Sequence, residues 1–204
     1  MNELPLIAIL RGITLDEVEP VTNALVAAGV CYLEIPLNSP APLRSIERMI
    51  ELHGAKAYCG AGTVQTVAEV NEVAGLGGRL IVSPHLDVEI VKATRAQNML
   101  SLPGVATITE ALMAIRAGAK QLKLFPAGDL GSGYLKSISA VLPAEVRVFA
   151  VGNIGLDDLQ SFSLAGASGF GIGSGLYQPG LDPERVYRQA EQYVKAIEQL
   201  VSNP

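Results

Sequence analysis

The sequence predicts an α/β protein folded as a single-domain (β/α)8 (TIM) barrel. Eight short apolar runs alternate with amphipathic stretches, on average a little over twenty residues apart. Strict alternation of strands and helices produces a parallel sheet, and eight units are the number that closes into a barrel. An open, doubly wound sheet is the competing architecture, but its glycine-rich fingerprint is absent from LRGITLDE after the first run. We expect one domain over residues 1–204, frayed only in the last few.

The predicted strands are apolar runs bounded by polar residues, glycine or proline. In chain order they cover residues 4–12, 31–37, 57–64, 79–84, 99–104, 121–128, 147–154 and 168–175. Helices are predicted between them. Thr14 and Glu17 have capping-box spacing at the start of the first helix, and Asp182 followed by Pro183 is typical of the start of the last. That last helix has an apolar stripe at helical intervals, formed by Val186, Ala190, Val194, Ile197 and Val201.

Composition and charge narrow the classes of function. The chain is 49% hydrophobic and 17% charged, which is typical of a folded globular protein. A net charge of −5 without a basic cluster argues against nucleic acid or an anionic membrane as a partner. The N-terminal apolar stretch is too short for a signal or a membrane span, so we expect a cytoplasmic protein. Cys31 and Cys59 lack CxxC spacing and are expected to be buried free thiols.

Three ionisable residues interrupt apolar runs near their carboxyl ends. Side chains of a barrel strand point alternately to the interior and to the surrounding helices. Because the flanking Leu and Ile residues pack on the helices, Glu34, Lys123 and Phe125 face the interior. Arg11, at the end of the first strand, shares the parity of the inward-facing isoleucines. Active sites of such barrels lie at this end, so the three charged residues are expected to meet there.

A lysine in such a place indicates Schiff-base chemistry. Burial and a nearby cation such as Arg11 lower the pKa of a lysine, so that its neutral amine can attack a carbonyl carbon. Glu34 would then transfer protons as a general acid and base, and Arg11 would bind a carboxylate group. For each residue taken singly, a charge at the barrel rim or a structural ion pair is the alternative explanation.

Glycine-rich turns, VGNIG and GIGSG, follow the seventh and eighth strands. In (β/α)8 barrels these two loops often bind phosphate through backbone N–H groups, and Ser174 adds a hydroxyl. The alternative is that the glycines serve only the turns.

The remaining candidate residues carry weaker signals. His85 follows the fourth strand and either contacts substrate or belongs to the loop, whereas His53 is expected to be structural. Asp129 is expected to be a loop or helix-cap residue rather than a ligand. The chain has only two histidines and no HxxxH or CxxC spacing, so it offers few side chains for a metal site. We therefore expect no metal and no organic cofactor.

Seven motifs carry a resemblance to a known family. LEIPLNSP, GAGTV, SP, PG, LKLFPA, AVGNI and GIGSG, in this order and spacing, resemble the 2-keto-3-deoxy-6-phospho-sugar-acid aldolases over nearly the whole chain. The resemblance implies a class I (Schiff-base) aldolase on a (β/α)8 barrel, assembled as a homotrimer. It makes Lys123 the Schiff-base residue and Glu34 the proton-transfer residue. It implies substrate contacts at Arg11, Thr63, Pro84, Phe125, Val151 and Asn38, and phosphate contacts at Gly152, Asn153, Gly173 and Ser174.

Two positions indicate a branch of that family. Its gluconate-type branch tends to have TLRT after the glutamate and TGGI at the seventh strand, whereas this chain has PLNS and VGNI. Asn38 and Val151 therefore indicate the galactonate-type branch, which cleaves 2-keto-3-deoxy-6-phosphogalactonate to pyruvate and glyceraldehyde 3-phosphate. Asn153 replaces a glycine usual in both branches, and asparagine is the substitute best suited to a left-handed backbone.

Other functions stay open at the level of sequence. The nearest is an aldolase for the gluconate epimer, or a dual-specificity enzyme. A non-catalytic barrel that binds sugar phosphates and a metal-dependent phosphosugar epimerase are more distant alternatives.

Overall fold

Parallel strands alternate with helices through residues 6–202, the part of the chain that the computed structural model describes. The strands are β1 (Leu6–Ile9), β2 (Tyr32–Pro36), β3 (Tyr58–Gly62), β4 (Leu80–Val82), β5 (Leu100–Leu102), β6 (Gly104–Val105), β7 (Gln121–Leu124), β8 (Arg147–Val151) and β9 (Gly169–Ile172). The helices are α1 (Leu15–Ala27), α2 (Pro42–His53), α3 (Val67–Gly75), α4 (Val88–Ala96), α5 (Ile108–Arg116), α6 (Ala127–Leu130), α7 (Ser132–Ser139), α8 (Leu159–Leu164) and α9 (Pro183–Ser202). A 3-10 turn (Leu156–Asp158) precedes α8.

Nine short strands occupy eight barrel positions. The sheet order is β5-β4-β3-β2-β1-β9-β8-β7-β6, with every pairing parallel. The predicted fifth strand is therefore corrected to two pieces, because Pro103 has no N–H and interrupts it. Its first piece pairs with β4 and its second with β7, and the backbone N–H of Lys123 donates to the Pro103 carbonyl at 2.9 Å. The predicted (β/α)8 barrel is confirmed.

Strand alternation divides the core into two layers, as predicted. Leu33 and Ile35 of β2, like Leu122 and Leu124 of β7, belong to the layer between strands and helices. A separate cluster fills the lower interior of the barrel and consists of Ile7, Ile9, Tyr32, Leu80, Val82, Leu102, Phe149 and Val151. The inward parity places Glu34 and Lys123 above this apolar plug, toward the carboxyl ends of the strands.

Both predicted helix starts are confirmed. The backbone N–H of Thr14 donates to the Glu17 carboxylate at 3.0 Å, which completes the capping box of α1. Asp182 directly precedes α9, and its carboxylate accepts a hydrogen bond from the backbone N–H of Glu184, in the first turn of that helix, at 2.7 Å. The stripe of α9 is buried from Val186 to Ile197.

Some expectations fall at the two ends of the chain. Leu4 and Pro5 of the first apolar run, the side chain of Val201 and the predicted fraying at residues 203–204 lie outside what the structure describes.

Both cysteines are free thiols and Cys59 is buried, as expected, whereas Cys31 is only half-buried. Burial raises the pKa of the Cys59 thiol to about 12, so it stays protonated at neutral pH. Between residues 6 and 202, none of the helices has both the length and the apolar character that a membrane span requires.

Candidate active site

A cavity of about 500 Å³ opens at the carboxyl ends of the strands. Its walls come from β1, β2, β7, β8, β9 and the loops that follow them, together with α9. The lining residues are Ile9, Arg11, Glu34, Lys123, Phe125, Val151, Gly152, Asn153, Ile154, Gly155, Gly171, Gly173, Ser174, Gly175 and Tyr193. One half of the barrel mouth therefore holds the cavity, and β3 to β6 contribute nothing to its lining.

The three predicted charged residues all line this cavity. Glu34 points inward from β2 and is 2% exposed, and Lys123 points inward from β7 and is 6% exposed. Arg11 lies in the turn after β1 and is exposed to solvent. Two charges of opposite sign are thus held in a largely apolar interior, with a third at the rim.

One carboxyl oxygen of Glu34 has lost its hydration without gaining a hydrogen bond. The Oε2 atom is buried and has no hydrogen-bond partner in the described part of the chain. Burial raises the pKa of Glu34 to about 7, against the opposing influence of Lys123 and Arg11. A carboxyl group with a pKa near neutrality can both take up and release a proton at physiological pH.

Glycine in the GAG motif makes room for that carboxyl group. The Glu34 carboxyl group lies directly against the backbone of Gly62 at the end of β3, where a Cβ atom would overlap it. Gly60 is equally constrained, because a Cβ there would overlap the Leu80 carbonyl of β4. The motif therefore allows β3 to approach both the acid and the next strand closely.

Lys123 is the nucleophile candidate. Burial lowers the pKa of its ammonium group, Glu34 acts in the opposite direction, and Arg11 lowers it further. This is the combination of burial and a nearby cation that the sequence predicted. The Nζ atom lies 4.5 Å from the centroid of the Phe125 ring, so the aromatic face stabilises the charged form that precedes deprotonation.

Asn38 contacts Arg11 instead of lining the cavity. The Arg11 Nη1 atom donates to Asn38 Oδ1 at 2.7 Å, and the backbone N–H of Gly12 donates to the hydroxyl of Ser39 at 2.9 Å. Two consecutive residues of the β2–α2 loop thus hold the turn after β1. Asn38 therefore orients the guanidinium group over the cavity.

Thr63 and Pro84 lie on the other half of the barrel mouth. Thr63 follows β3 with a left-handed backbone (φ +57°), and Pro84 follows β4. Pro84 packs on Gly104, where an added Cβ would come within 2.5 Å of its carbonyl group. Neither residue lines the cavity, so their substrate contacts stay predictions.

The loop after β8 has a left-handed backbone at two consecutive residues. Gly152 (φ +92°) and Asn153 (φ +54°) both have left-handed conformations, which asparagine tolerates better than other side chains. The Asn153 Nδ2 atom donates to both carboxylate oxygens of Asp129, at 3.0 and 3.1 Å. Asp129, in the short helix α6, thus holds the side chain of Asn153 and leaves the loop backbone facing the cavity.

The two histidines lie away from the cavity. His53 is buried at the end of α2, where its Nε2 atom is 2.9 Å from the hydroxyl of Thr22, and it packs two helices together as expected. His85 is exposed in the loop after β4 and does not line the cavity.

Sequence reasoning missed several lining residues. Strand parity could have predicted Ile9 and Gly171. The glycine-rich loops could have predicted Ile154, Gly155 and Gly175, which lie next to residues already assigned to the site. Tyr193 had only one signal, an aromatic residue with a polar tip beside the apolar stripe of the last helix. Its approach to the cavity depends on how α9 packs.

A family model described as KDPG and KHG aldolase matches residues 1–188 of the chain. The chain belongs to this aldolase family. The resemblance carried by the motifs is thereby confirmed, and the chain is an aldolase, a member of the lyase class.

Similar proteins cover nearly the whole chain. It is 44% identical to the 2-dehydro-3-deoxy-6-phosphogalactonate aldolase of Escherichia coli (strain K12) over 98% of each protein. The solved structure of native KDPGal is 43% identical, with a TM-score of 0.97 over 99% of this chain and 98% of that one. A cube-shaped protein cage designed by fusing symmetric oligomeric domains is 43% identical, with a TM-score of 0.96 over 98% of this chain and 74% of that one.

Proposed function

We propose that this aldolase cleaves 2-dehydro-3-deoxy-6-phosphogalactonate (the 2-keto-3-deoxy sugar acid) to pyruvate and D-glyceraldehyde 3-phosphate through a Schiff base on Lys123. The observation that carries the proposal is the pairing of Lys123 and Glu34 in one cavity, both buried and with pKa values shifted toward neutrality. Such a pair provides a nucleophilic amine and a proton carrier at the same pH.

The reaction follows from these two groups. The neutral Lys123 amine adds to the C2 carbonyl, and loss of water produces an iminium ion. Glu34 removes the proton of the C4 hydroxyl as the C3–C4 bond breaks, and the electron pair of that bond moves into the iminium to form an enamine. The aldehyde product leaves. Glu34 then protonates C3 of the enamine, and hydrolysis of the resulting iminium releases pyruvate and restores the lysine.

The rest of the cavity fits the two ends of the substrate. Arg11, oriented by Asn38, is assigned to the carboxylate, together with the predicted contacts of Thr63 and Pro84. Phe125 and Val151 form the wall beside the reacting carbons. The phosphate is assigned to the two glycine-rich loops, at Gly152, Asn153, Gly173 and Ser174. No metal or organic cofactor is required, because the protonated imine itself withdraws the electrons.

The choice of the galactonate epimer rests on the Escherichia coli relative of that name and on Val151 and Asn38. The second candidate substrate is the gluconate epimer (KDPG), alone or together with the first. The description of the matching family model, KDPG and KHG aldolase, supports it. We expect faster cleavage of the galactonate epimer when the two purified epimers are compared by release of pyruvate. Equal rates would contradict the role assigned to Val151 and Asn38.

A reductive trap tests the mechanism. Incubation with pyruvate and borohydride should attach a pyruvate-derived group to Lys123, located by peptide mapping, and leave the exposed Lys120 unmodified. Replacing Lys123 with Ala should lower kcat by at least about a thousandfold, since the covalent route is lost. A Lys120→Ala variant is the matched control and should retain full activity.

Three results would contradict the mechanism. Near-normal cleavage by the Lys123→Ala variant would remove the Schiff base from it. A wild-type protein that binds the sugar phosphate tightly but resists borohydride would indicate a non-catalytic barrel. Loss of activity on chelation would favour the metal-dependent alternative.

The proposal extends to assembly and location. The similar cage chain was designed from symmetric oligomeric domains, which supports the homotrimer that the motifs imply. The two free thiols support a reducing compartment, and we place the enzyme in the cytoplasm.

A further inference from the structure

One polar side chain reaches the phosphate loops from outside the strand ends. Tyr193 lies on α9, and it is the only residue of that helix among the described lining of the cavity. Its side chain is 5% exposed, so it is nearly enclosed by protein.

The hydroxyl end of the ring faces the loop after β9. A Cβ atom added to Gly175 would lie 2.5 Å from Tyr193 Oη and 3.2 Å from its Cζ. Gly175 therefore has no room for a side chain, and the hydroxyl lies against the backbone that follows Gly173 and Ser174. The hydroxyl is thus placed on the cavity wall, beside the glycine-rich loop that follows β9.

We propose that the Tyr193 hydroxyl donates a hydrogen bond to the substrate phosphate and so contributes to selection of phosphorylated substrates. The inference rests on the function proposed above. It adds a side-chain donor from the last helix to a site otherwise assigned to backbone N–H groups and Ser174. The position of the hydroxyl on the cavity wall, against the loop to which the phosphate is assigned, is the observation that assigns it a ligand.

The surroundings keep the hydroxyl protonated. Burial raises the pKa of Tyr193, and the carboxylates of Asp158 and Asp157 raise it further. Asp158 is itself occupied, because its Oδ2 atom accepts from the backbone N–H of Gly155 at 2.8 Å. Tyr193 therefore remains a donor at neutral pH, which is the role that a phosphate oxygen requires.

Comparing a phosphorylated and an unphosphorylated aldehyde substrate distinguishes a phosphate contact of Tyr193 from a role in packing. Condensation of pyruvate is measured with D-glyceraldehyde 3-phosphate and with D-glyceraldehyde, which lacks the phosphate. In a Tyr193→Phe variant, we expect KM for the phosphorylated aldehyde to rise about 3- to 10-fold through loss of one charge-assisted hydrogen bond. The KM for D-glyceraldehyde and both kcat values should stay within about twofold.

A matched variant controls for the substitution itself. Tyr187 lies on the same helix and is exposed, so Tyr187→Phe should change neither KM. Equal changes for the two aldehydes in Tyr193→Phe, or no change for either, would overturn the proposal.

Binding of inorganic phosphate tests the contact without catalysis. Calorimetric titration should show weaker binding to Tyr193→Phe than to wild type, whether or not the wild-type enzyme turns over. Inactive wild-type protein would refute the proposed function, whereas equal phosphate affinities would refute the role of Tyr193. If the variant does not fold, wild-type protein labelled with 3-fluorotyrosine decides the question. The fluorine resonance of Tyr193 should shift on phosphate addition while that of Tyr187 stays in place, and an unmoved Tyr193 resonance would overturn the proposal.

Discussion

At the scale of single residues, the site is defined by charges that lie in an unfavourable place. Glu34 and Lys123 are both desolvated, and neither is neutralised completely by the other. Folding therefore pushes both pKa values toward neutrality, where the protonated and deprotonated forms interconvert during a catalytic cycle. The cost of burying these charges is carried by the surrounding core.

The raised pKa of Glu34 predicts a pH-dependent stability. Between its unfolded pKa near 4.5 and its folded value of about 7, the folded protein binds more protons than the unfolded one. Ionisation of Glu34 therefore lowers the free energy of unfolding as pH rises through this window, by about 3 kcal/mol at most. Urea unfolding of wild type and Glu34→Gln should show the variant gaining relative stability from pH 5 to pH 8.

The lowered pKa of Lys123 also favours a gain in the stability of Glu34→Gln relative to wild type as pH rises. Removing the Glu34 charge lowers that pKa further, and a lysine with a lowered pKa stabilises the folded state as pH rises. A difference between the two proteins that stays constant from pH 5 to pH 8 would contradict the raised pKa of Glu34.

At the scale of elements, the loop after β8 is held by one asparagine. Asn153 combines a left-handed backbone with two hydrogen bonds to Asp129 of α6. The backbone N–H of Gly128 also donates to the Gly152 carbonyl at 2.9 Å, so α6 and the loop are joined through both main chain and side chain. These contacts determine which backbone atoms face the end of the cavity to which we assign the phosphate.

Substitutions at Asn153 should separate the backbone contribution from the side-chain contribution. Asn153→Ala should lower the free energy of unfolding by about 1–2 kcal/mol, because alanine is strained in the left-handed region and loses the Asp129 contact. Asn153→Gly should cost about 1 kcal/mol less than Asn153→Ala, since both variants lose the Asp129 contact but glycine adopts this backbone freely. Urea unfolding provides both values, and equal losses for the two variants would contradict the argument.

At the scale of the whole molecule, strands from both ends of the chain, β1 and β2 with β7 to β9, line one cavity. The barrel closes where β1 pairs with β9, and α9 packs beside α1 near that closure. On the outer surface, Leu164 at the end of α8 is 76% exposed.

If the enzyme is the proposed homotrimer, its mass in solution is that of three chains. Light scattering on purified protein at micromolar concentration should give this mass in a single peak, because oligomers of one chain close by rotational symmetry. Aldolase activity should elute with the same peak. A mass of one or two chains at that concentration would contradict the trimer.

The sequence by itself determined the number of barrel positions, the inward parity of Glu34 and Lys123, the suitability of Asn153 for a left-handed backbone and the family. These properties are local, because strand alternation has a period of two residues and backbone preference belongs to the residue type. They could be obtained from runs and motifs a few residues long.

Only the tertiary structure decided which residues around the barrel mouth share one cavity. Thr63 and Pro84 end strands just as Lys123 does, yet the cavity lies over the other half of the barrel. Asn38 contacts Arg11 and does not line the cavity. Tyr193 lines the cavity although it lies on the helix that follows the last strand. The physical reason is that closure, strand tilt and helix packing bring together residues far apart in the chain, and no short stretch of sequence contains those distances.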